Sequence, residues 1–492
     1  MRGTALITVI VAGFAIASST ATADAPAADA PAGARIQQWL ADRLEAATAS
    51  ARRTGAAPLT VLVHGTSART AAAAARASGL RVTRTWDAIG VAVAGGPPDR
   101  IRTVARRRGV TYLEGDRPLV YTDATSNTAT RGGEARRALR GADDRALDGR
   151  GVSVAEIDSG VDGGHPFLTG DDGASVVVAN LKSICPRRSL GPDCFIDVPG
   201  NDSDTLAAGG HGTHVAGIIA GRDVSVDGEP MHGAAPGAKI VALSVGVAIS
   251  VADVANGFDW VLRNHARPCG AGVSAATCPP IKVVSNSWGP AGGGDFDPRD
   301  SVVRFQRELI KTGIVTVWAN GNDGGYGSAN HSNPPGQDPT PGVISVAAYD
   351  DLGVGTRQGK IAEFSSRGKR GLAATYPDIS APGVKILSSC RSALPLCLKA
   401  MGGGAPSGDY VDLSGTSMAA PHIAGIVAQL FQAAPHASPG DIETALKASA
   451  YKYADGAPYE RAGSYTTSND KGVGLVDVVA AVRALTRPGS MG

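Results

Sequence analysis

Three side chains stand where acyl-transfer chemistry would need them. Ser417 lies in residues 413–422 (LSGTSMAAPH), where a Gly-Thr-Ser turn runs into the apolar stretch 423–431. This pattern predicts a buried helix that begins near a serine. The first backbone N–H groups of a helix are unpaired and carry the positive end of the dipole, which suits a nucleophile beside which negative charge develops. Alone, such a string reads more readily as a helix N-cap. His211 opens residues 211–220 (HGTHVAGIIA), and a small-residue helix there leaves the imidazole at its N-terminal end, facing a cleft as a general base. His211 and His214 without nearby carboxylates make a poorer metal site. Asp158 ends the apolar strand 152–157, and the C-terminal end of a buried strand is where an α/β sheet places its chemistry. A turn aspartate is the plain alternative. The order Asp158, His211, Ser417 is one of three in which an acid, an imidazole and a hydroxyl form a hydrolytic triad.

The elements that must hold these groups alternate. Residues 239–245, 281–285, 313–318 and 343–348 read as strands, and 251–264 and 302–311 as helices between them. Two further helices fall at 441–450 and 476–485. Repeated βα units predict a mostly parallel sheet covered on both faces.

The chain has 492 residues, enough for two or three units, and a net charge of +2, which carries no nucleic-acid footprint. Residues 1–23 read as a signal peptide: Arg2, the apolar run 5–17, then Ala21-Thr22-Ala23. Thirteen apolar residues are short for a bilayer span, so the expectation is a secreted protein with no membrane attachment after cleavage. Six cysteines form close pairs in sequence, Cys185 with Cys194, Cys269 with Cys278, and Cys390 with Cys397. An even count in an exported chain predicts disulfides, with local pairing as one of 15 connectivities. Residues 24–57 read as a spacer and 58–122 as a β-α-β-β-α-β segment of ferredoxin-like order. Residues 123–150 read as a linker and maturation region, with a short helix at 134–139.

Asp-Ser-Gly-Val-Asp (158–162), His-Gly-Thr-His-Val-Ala-Gly (211–217) and Gly-Thr-Ser-Met-Ala-Ala-Pro-His (415–422) together resemble the three signatures of the subtilisin-like serine proteases. The resemblance covers residues 151–486. It implies a subtilisin-like three-layer α/β fold with a mostly parallel central sheet, preceded by a small ferredoxin-like α+β propeptide. It assigns Ser417 as nucleophile, His211 as general acid–base and Asp158 as the group that orients the imidazole. Asn322 becomes an oxyanion donor beside the Ser417 N–H. Ser287, Trp288, Gly289 and Gly321 become substrate-binding residues, with a core position as the alternative for the Trp288 side chain. Protein or peptide substrates are implied, and the propeptide is an intramolecular inhibitor that the enzyme removes between Tyr121 and Gly133. No cofactor is needed for the chemistry. A structural calcium is compatible with the resemblance, but no residue set is assigned to it.

Three positions depart from the pattern. Glu156 replaces an apolar strand residue, and a buried acid there needs a basic or hydroxyl partner. Phe167 stands where an aspartate often helps hold calcium. Asn320 stands near the primary specificity pocket in place of a small residue. Two other readings remain open at this level: a catalytically silent binding domain on the same fold, and an acyltransferase that passes the acyl group to an amine.

Overall fold

The computed structural model describes residues 34–47 in part, and residues 58–115, 122–170, 173–184, 195–204, 209–226, 228–245, 250–391, 394–400 and 409–487. The signal-peptide stretch, Cys185 and Cys194 lie outside them. The chain divides at Pro118 into two units.

In the first unit, Leu59–Gly65 is the central strand, antiparallel to both Val91–Gly96 and Val110–Gly115, and Arg81–Trp86 pairs with Val91–Gly96 at the edge. Helices Ala68–Ala77 and Pro98–Val104 supply the crossovers. This is the ferredoxin-like order. Alternating Val61 and Val63, Ala92 and Ala94, and the helical Ala71, Ala75, Ile101 and Val104 meet in one core. Part of the stretch read as spacer belongs here. Arg35–Ile36 pairs in parallel with Tyr112–Leu113, and Leu40 and Leu44 are 1% and 0% exposed. Two leucines four apart lie on one helical face, a signal too short to outweigh the Ala/Pro-rich residues before it.

The second unit begins with helices Thr122–Ala129 and Gly132–Ala138, in the stretch read as a linker and maturation region; the first was not expected, and the second overlaps the short helix read at 134–139. Ala129, Ala135 and Leu147 are fully buried. Their small and polar neighbours carry no 3.6-residue apolar period, and tertiary bonds hold them instead. Asn127 donates to the His232 carbonyl at 2.9 Å, and Arg131 bridges Glu134 and Asp477.

The sheet of this unit is built from β1 (Ser153–Asp158), β2 (Val177–Ser183), β3 (Lys239–Ser244), β4 (Ile281–Asn286), β5 (Val315–Ala319), β6 (Val343–Asp350) and β7 (Ile379–Pro382). These seven run parallel in the order β2-β3-β1-β4-β5-β6-β7, with short antiparallel strands Phe195–Asp197 and Lys360–Ile361 added. Helices α1 (His211–Ala220) and α4 (Thr416–Ala433) cover one face, and α2 (Val251–Asn264) and α3 (Ser301–Lys311) the other. The central strands are buried on both sides, which is why they read as continuous apolar runs. Strand order reverses between β1 and β4. A crevice opens at the carboxyl ends of strands at such a switch point, and Asp158 ends β1 there while Ser287 follows β4.

Candidate active site

β1 alternates Ala155 and Ile157 toward α2 with Val154, Glu156 and Asp158 toward α1 and α4. Asp158 is 2% exposed. Its Oδ1 accepts from His211 Nδ1 at 2.7 Å and from the Ser159 N–H at 2.7 Å. The His211 side chain, 24% exposed, is the first residue of α1. Burial opposes its protonation, but the charge and hydrogen bond of Asp158 outweigh it and raise the imidazole pKa above its ordinary value.

α1 has no side chain at its N-cap, because that residue is Gly210. A distant acid does the work. Asp204 Oδ2 accepts from the Gly210 N–H at 2.9 Å and the Thr213 hydroxyl at 2.7 Å, while Oδ1 takes the Ser159 hydroxyl at 2.6 Å. Ser159 Oγ in turn accepts from the Gly212 N–H at 2.9 Å. Burial raises the Asp204 carboxyl to about 6 against these hydrogen bonds. Nothing in the sequence marks Asp204, since a capping residue is ordinarily adjacent to its helix.

Ser417 is the second residue of α4, so its N–H precedes the helical hydrogen-bond ladder. Pro421 lies inside the helix four residues on and offers no N–H to the Ser417 carbonyl. The Ser287 hydroxyl fills that place at 3.0 Å, and the Ser417 hydroxyl donates back to the Ser287 carbonyl at 2.9 Å. The end of β4 is thereby tied to the start of α4. In this rotamer the Ser417 hydroxyl is turned to Ser287 rather than to His211. Trp288 joins the same knot, its indole N–H donating to the Ile157 carbonyl, one residue before Asp158, at 2.9 Å.

Asn322 follows β5. Its Oδ1 accepts from the Thr416 N–H and hydroxyl, both at 2.9 Å, which fixes the amide so that Nδ2 is the end left to face the cleft. Gly321 donates its N–H to Thr416 Oγ1 at 3.1 Å; with φ 107°, a side chain there would meet Ser366 Oγ at 2.7 Å. Thr416 therefore organises two predicted site residues, a role its place in the signature did not disclose. Ser287, Trp288, Gly289, Gly321, Asn322 and Ser417 all line one cleft of about 900 Å³. The Trp288 ring is half-buried and packs edge-on against Trp318 at 4.9 Å, so it serves core and cleft together.

The three departures resolve differently. Asn320 is fully buried and bonded to the Ser366 carbonyl and the Ser345 hydroxyl, away from the cleft. Phe167 is fully buried and meets the Tyr410 ring at 5.7 Å, so packing occupies that position. Glu156 is 1% exposed, and neither carboxyl oxygen has a hydrogen-bond partner among the described residues, contrary to the expected basic or hydroxyl neighbour. Burial first, then the charges of Asp158 and Asp204, push its pKa well above the usual carboxylate range. His214 is held neutral by burial, its pKa lowered to about 3, with Nε2 on the Val411 carbonyl at 3.0 Å. Among the described residues, no group of three or more His, Cys, Asp or Glu is arranged to hold a metal ion. None of the described helices is long and apolar enough to cross a membrane.

The sequence has relatives. The chain is 33% identical over 338 residues to fervidolysin of Fervidobacterium pennivorans, spanning 68% of this chain and 41% of that protein. It is 32% identical over 341 residues to the serine protease AprX of Bacillus subtilis, spanning 68% and 69%. Subtilisin E of Bacillus subtilis is 27% identical over 338 residues, spanning 68% and 66%. The subtilase family profile matches residues 149–474, which take in Asp158, His211, Asn322 and Ser417. The chain belongs to the subtilase family.

Proposed function

We propose that this chain is a secreted serine endopeptidase, made as a zymogen, that hydrolyses peptide bonds through an acyl-enzyme on Ser417. What supports this reading most is two sets of bonds at the carboxyl ends of neighbouring strands: Asp158–His211 at the end of β1, and Ser417–Ser287 and Thr416–Asn322 after β4 and β5. A substrate strand would lie along Ser287–Gly289, pairing through backbone groups. Rotation of the Ser417 hydroxyl from the Ser287 carbonyl toward His211 starts the reaction. His211 takes the proton as Ser417 Oγ attacks the carbonyl, and Asp158 stabilises the imidazolium. Asn322 Nδ2 and the Ser417 N–H receive the developing oxyanion. His211 then protonates the leaving amine. In the second half it takes a proton from water, and the hydroxide equivalent releases the acyl group.

The first unit is the proposed propeptide, acting as folding aid and intramolecular inhibitor. Helix Thr122–Ala129 is built into the second unit, which favours a maturation cut near the start of the 121–133 window. The Cys269–Cys278 and Cys390–Cys397 disulfides suit an oxidising, extracellular setting. A fluorophosphonate probe tests the central claim. Labelling of processed protein that disappears in Ser417→Ala is expected. Processed wild type that stays unlabelled refutes it. Product analysis with an added amine separates hydrolysis from acyl transfer.

A further inference from the structure

The turn that launches α1 is clamped from outside by a disulfide. Gly210 has φ 100°, and a Cβ built on it would lie 2.4 Å from Cys397 Sγ and 3.2 Å from Cys390 Sγ. The sulfurs thus fill the space that a side chain at the N-cap would use. Both cysteines are fully buried. The Leu396 N–H donates to the Gly209 carbonyl at 3.3 Å, so the loop between the cysteines also holds the residue before the cap. The strand leading into Cys390 is fastened to the same helix. Ser388 and Ser389 donate their hydroxyls to the His214 and Thr213 carbonyls at 2.8 and 2.7 Å. On its far side the loop is anchored by the Cys390 N–H on the Asp409 carbonyl at 2.7 Å and by Arg391 on Asp162.

His211 is the residue after Gly210. Its Nδ1 must stay on Asp158 while the other nitrogen reaches Ser417. Asp204 holds the turn by hydrogen bonds from one side, and the bridge bears on it from the other. The second disulfide gives the contrast. Cys269–Cys278 closes a turn between α2 and the start of β4, at the end of that strand opposite to Ser287 and Trp288.

We propose that the Cys390–Cys397 bridge is a positioning device for His211. It confines Gly210 so that the imidazole keeps its angle to Asp158, and it acts on the rate of the chemical step rather than on substrate affinity. This rests on His211 being the general base.

The test compares Cys390→Ala/Cys397→Ala with Cys269→Ala/Cys278→Ala in the full, matured enzyme. It measures kcat, KM and the pH dependence of kcat/KM on a peptide substrate, well below each variant's unfolding temperature. Small misplacements of a catalytic group cost large factors in rate, so the first pair is expected to lose about tenfold or more in kcat. Its KM should stay within about twofold, and its acid limb should move to lower pH as the Asp158–His211 bond loosens. The control pair should lose thermal stability and keep kcat and its pH profile. Equal effects of the two pairs, or an unchanged kcat and acid limb in the first, overturn the proposal. If the first pair does not mature, the matured Cys269→Ala/Cys278→Ala enzyme decides, measured before and after its remaining disulfides are reduced and the freed thiols alkylated. A fall in kcat with a shifted acid limb supports the clamp, and an unchanged profile overturns it. Absence of Ser417-dependent hydrolysis in the wild type is a separate result and overturns the peptidase reading instead.

Discussion

Replacing Glu156 by glutamine should make the folded protein more stable, and increasingly so as pH rises. The carboxyl is 1% exposed, and its Oε1 lies 3.1 Å from where a Cβ on Gly212 would be, beside His211. Neither oxygen has a hydrogen-bond partner among the described residues. An isolated carboxylate in such a place is far costlier than the neutral acid, and the nearby Asp158 and Asp204 add repulsion. The folded protein therefore holds the Glu156 proton to higher pH than the unfolded chain does. Below the unfolded-state pKa of about 4.3 both states hold the proton and the group contributes nothing that varies with pH. Above it the unfolded chain releases the proton and the folded chain keeps it, so stability falls by about 1.4 kcal/mol per pH unit. The fall ends where the folded-state carboxyl ionises. Between these two ionisations the loss accumulates at that rate. Glu156→Gln keeps the shape and removes the titration. Urea unfolding in a Ser417→Ala background, which prevents self-digestion, gives the stability difference between the two proteins at each pH. Asp204 and other raised carboxyls titrate in both proteins and cancel. The difference should widen by about 1.4 kcal/mol per unit. A difference independent of pH, or one that narrows as pH rises, refutes a neutral buried Glu156.

The remaining predictions concern the proposed oxyanion donor, the proposed base and a partly buried ion cluster. Asn322→Ala removes Nδ2 and leaves Thr416 without its acceptor; kcat should fall by about 10²–10³ with little change in KM, measured on a peptide substrate. His211 must be neutral to act as base, and Asp158 raises its pKa, so the acid limb of kcat/KM should lie above the ordinary imidazole value of about 6.5. A limb at or below that value contradicts the bond to Asp158. Lys447 sits 2.6 Å from both Asp378 and Glu443, at 13% side-chain exposure. Lys447→Met removes the cation shared by two partly buried carboxylates, which keep the Ser345 and Gly342 N–H donors, and should cost about 1–3 kcal/mol in denaturant unfolding while leaving kcat unchanged.

Much of the site was legible because its parts are local. The runs ending at Asp158, Ser287 and Asn322 are apolar, and each is followed by polar or glycine residues, so strand ends and their loops could be read directly. The helices starting at His211 and Thr416 announced themselves by glycine followed by small and apolar residues. Helix Thr122–Ala129 was not legible, because Asn127 is held by His232, far along the chain, whereas the short helix read at 134–139 overlaps the observed Gly132–Ala138. The Arg35–Ile36 strand was hidden for the same reason, since its pairing partner is Tyr112–Leu113.

The amino-acid sequence alone determined the chemistry available to this protein, the order Asp158, His211, Ser417 and the βα rhythm that delivers them to one end of a sheet. Residue type and short-range periodicity are enough for that. Only the tertiary structure decided that Asp204 caps α1, that Ser287 answers the missing N–H of Pro421, that Thr416 fixes Asn322, and that Glu156 has no hydrogen-bond partner among the described residues. Those relations join residues distant in the chain, and hydrogen-bond satisfaction and close packing are settled by which surfaces meet when the sheet and its two helical layers close.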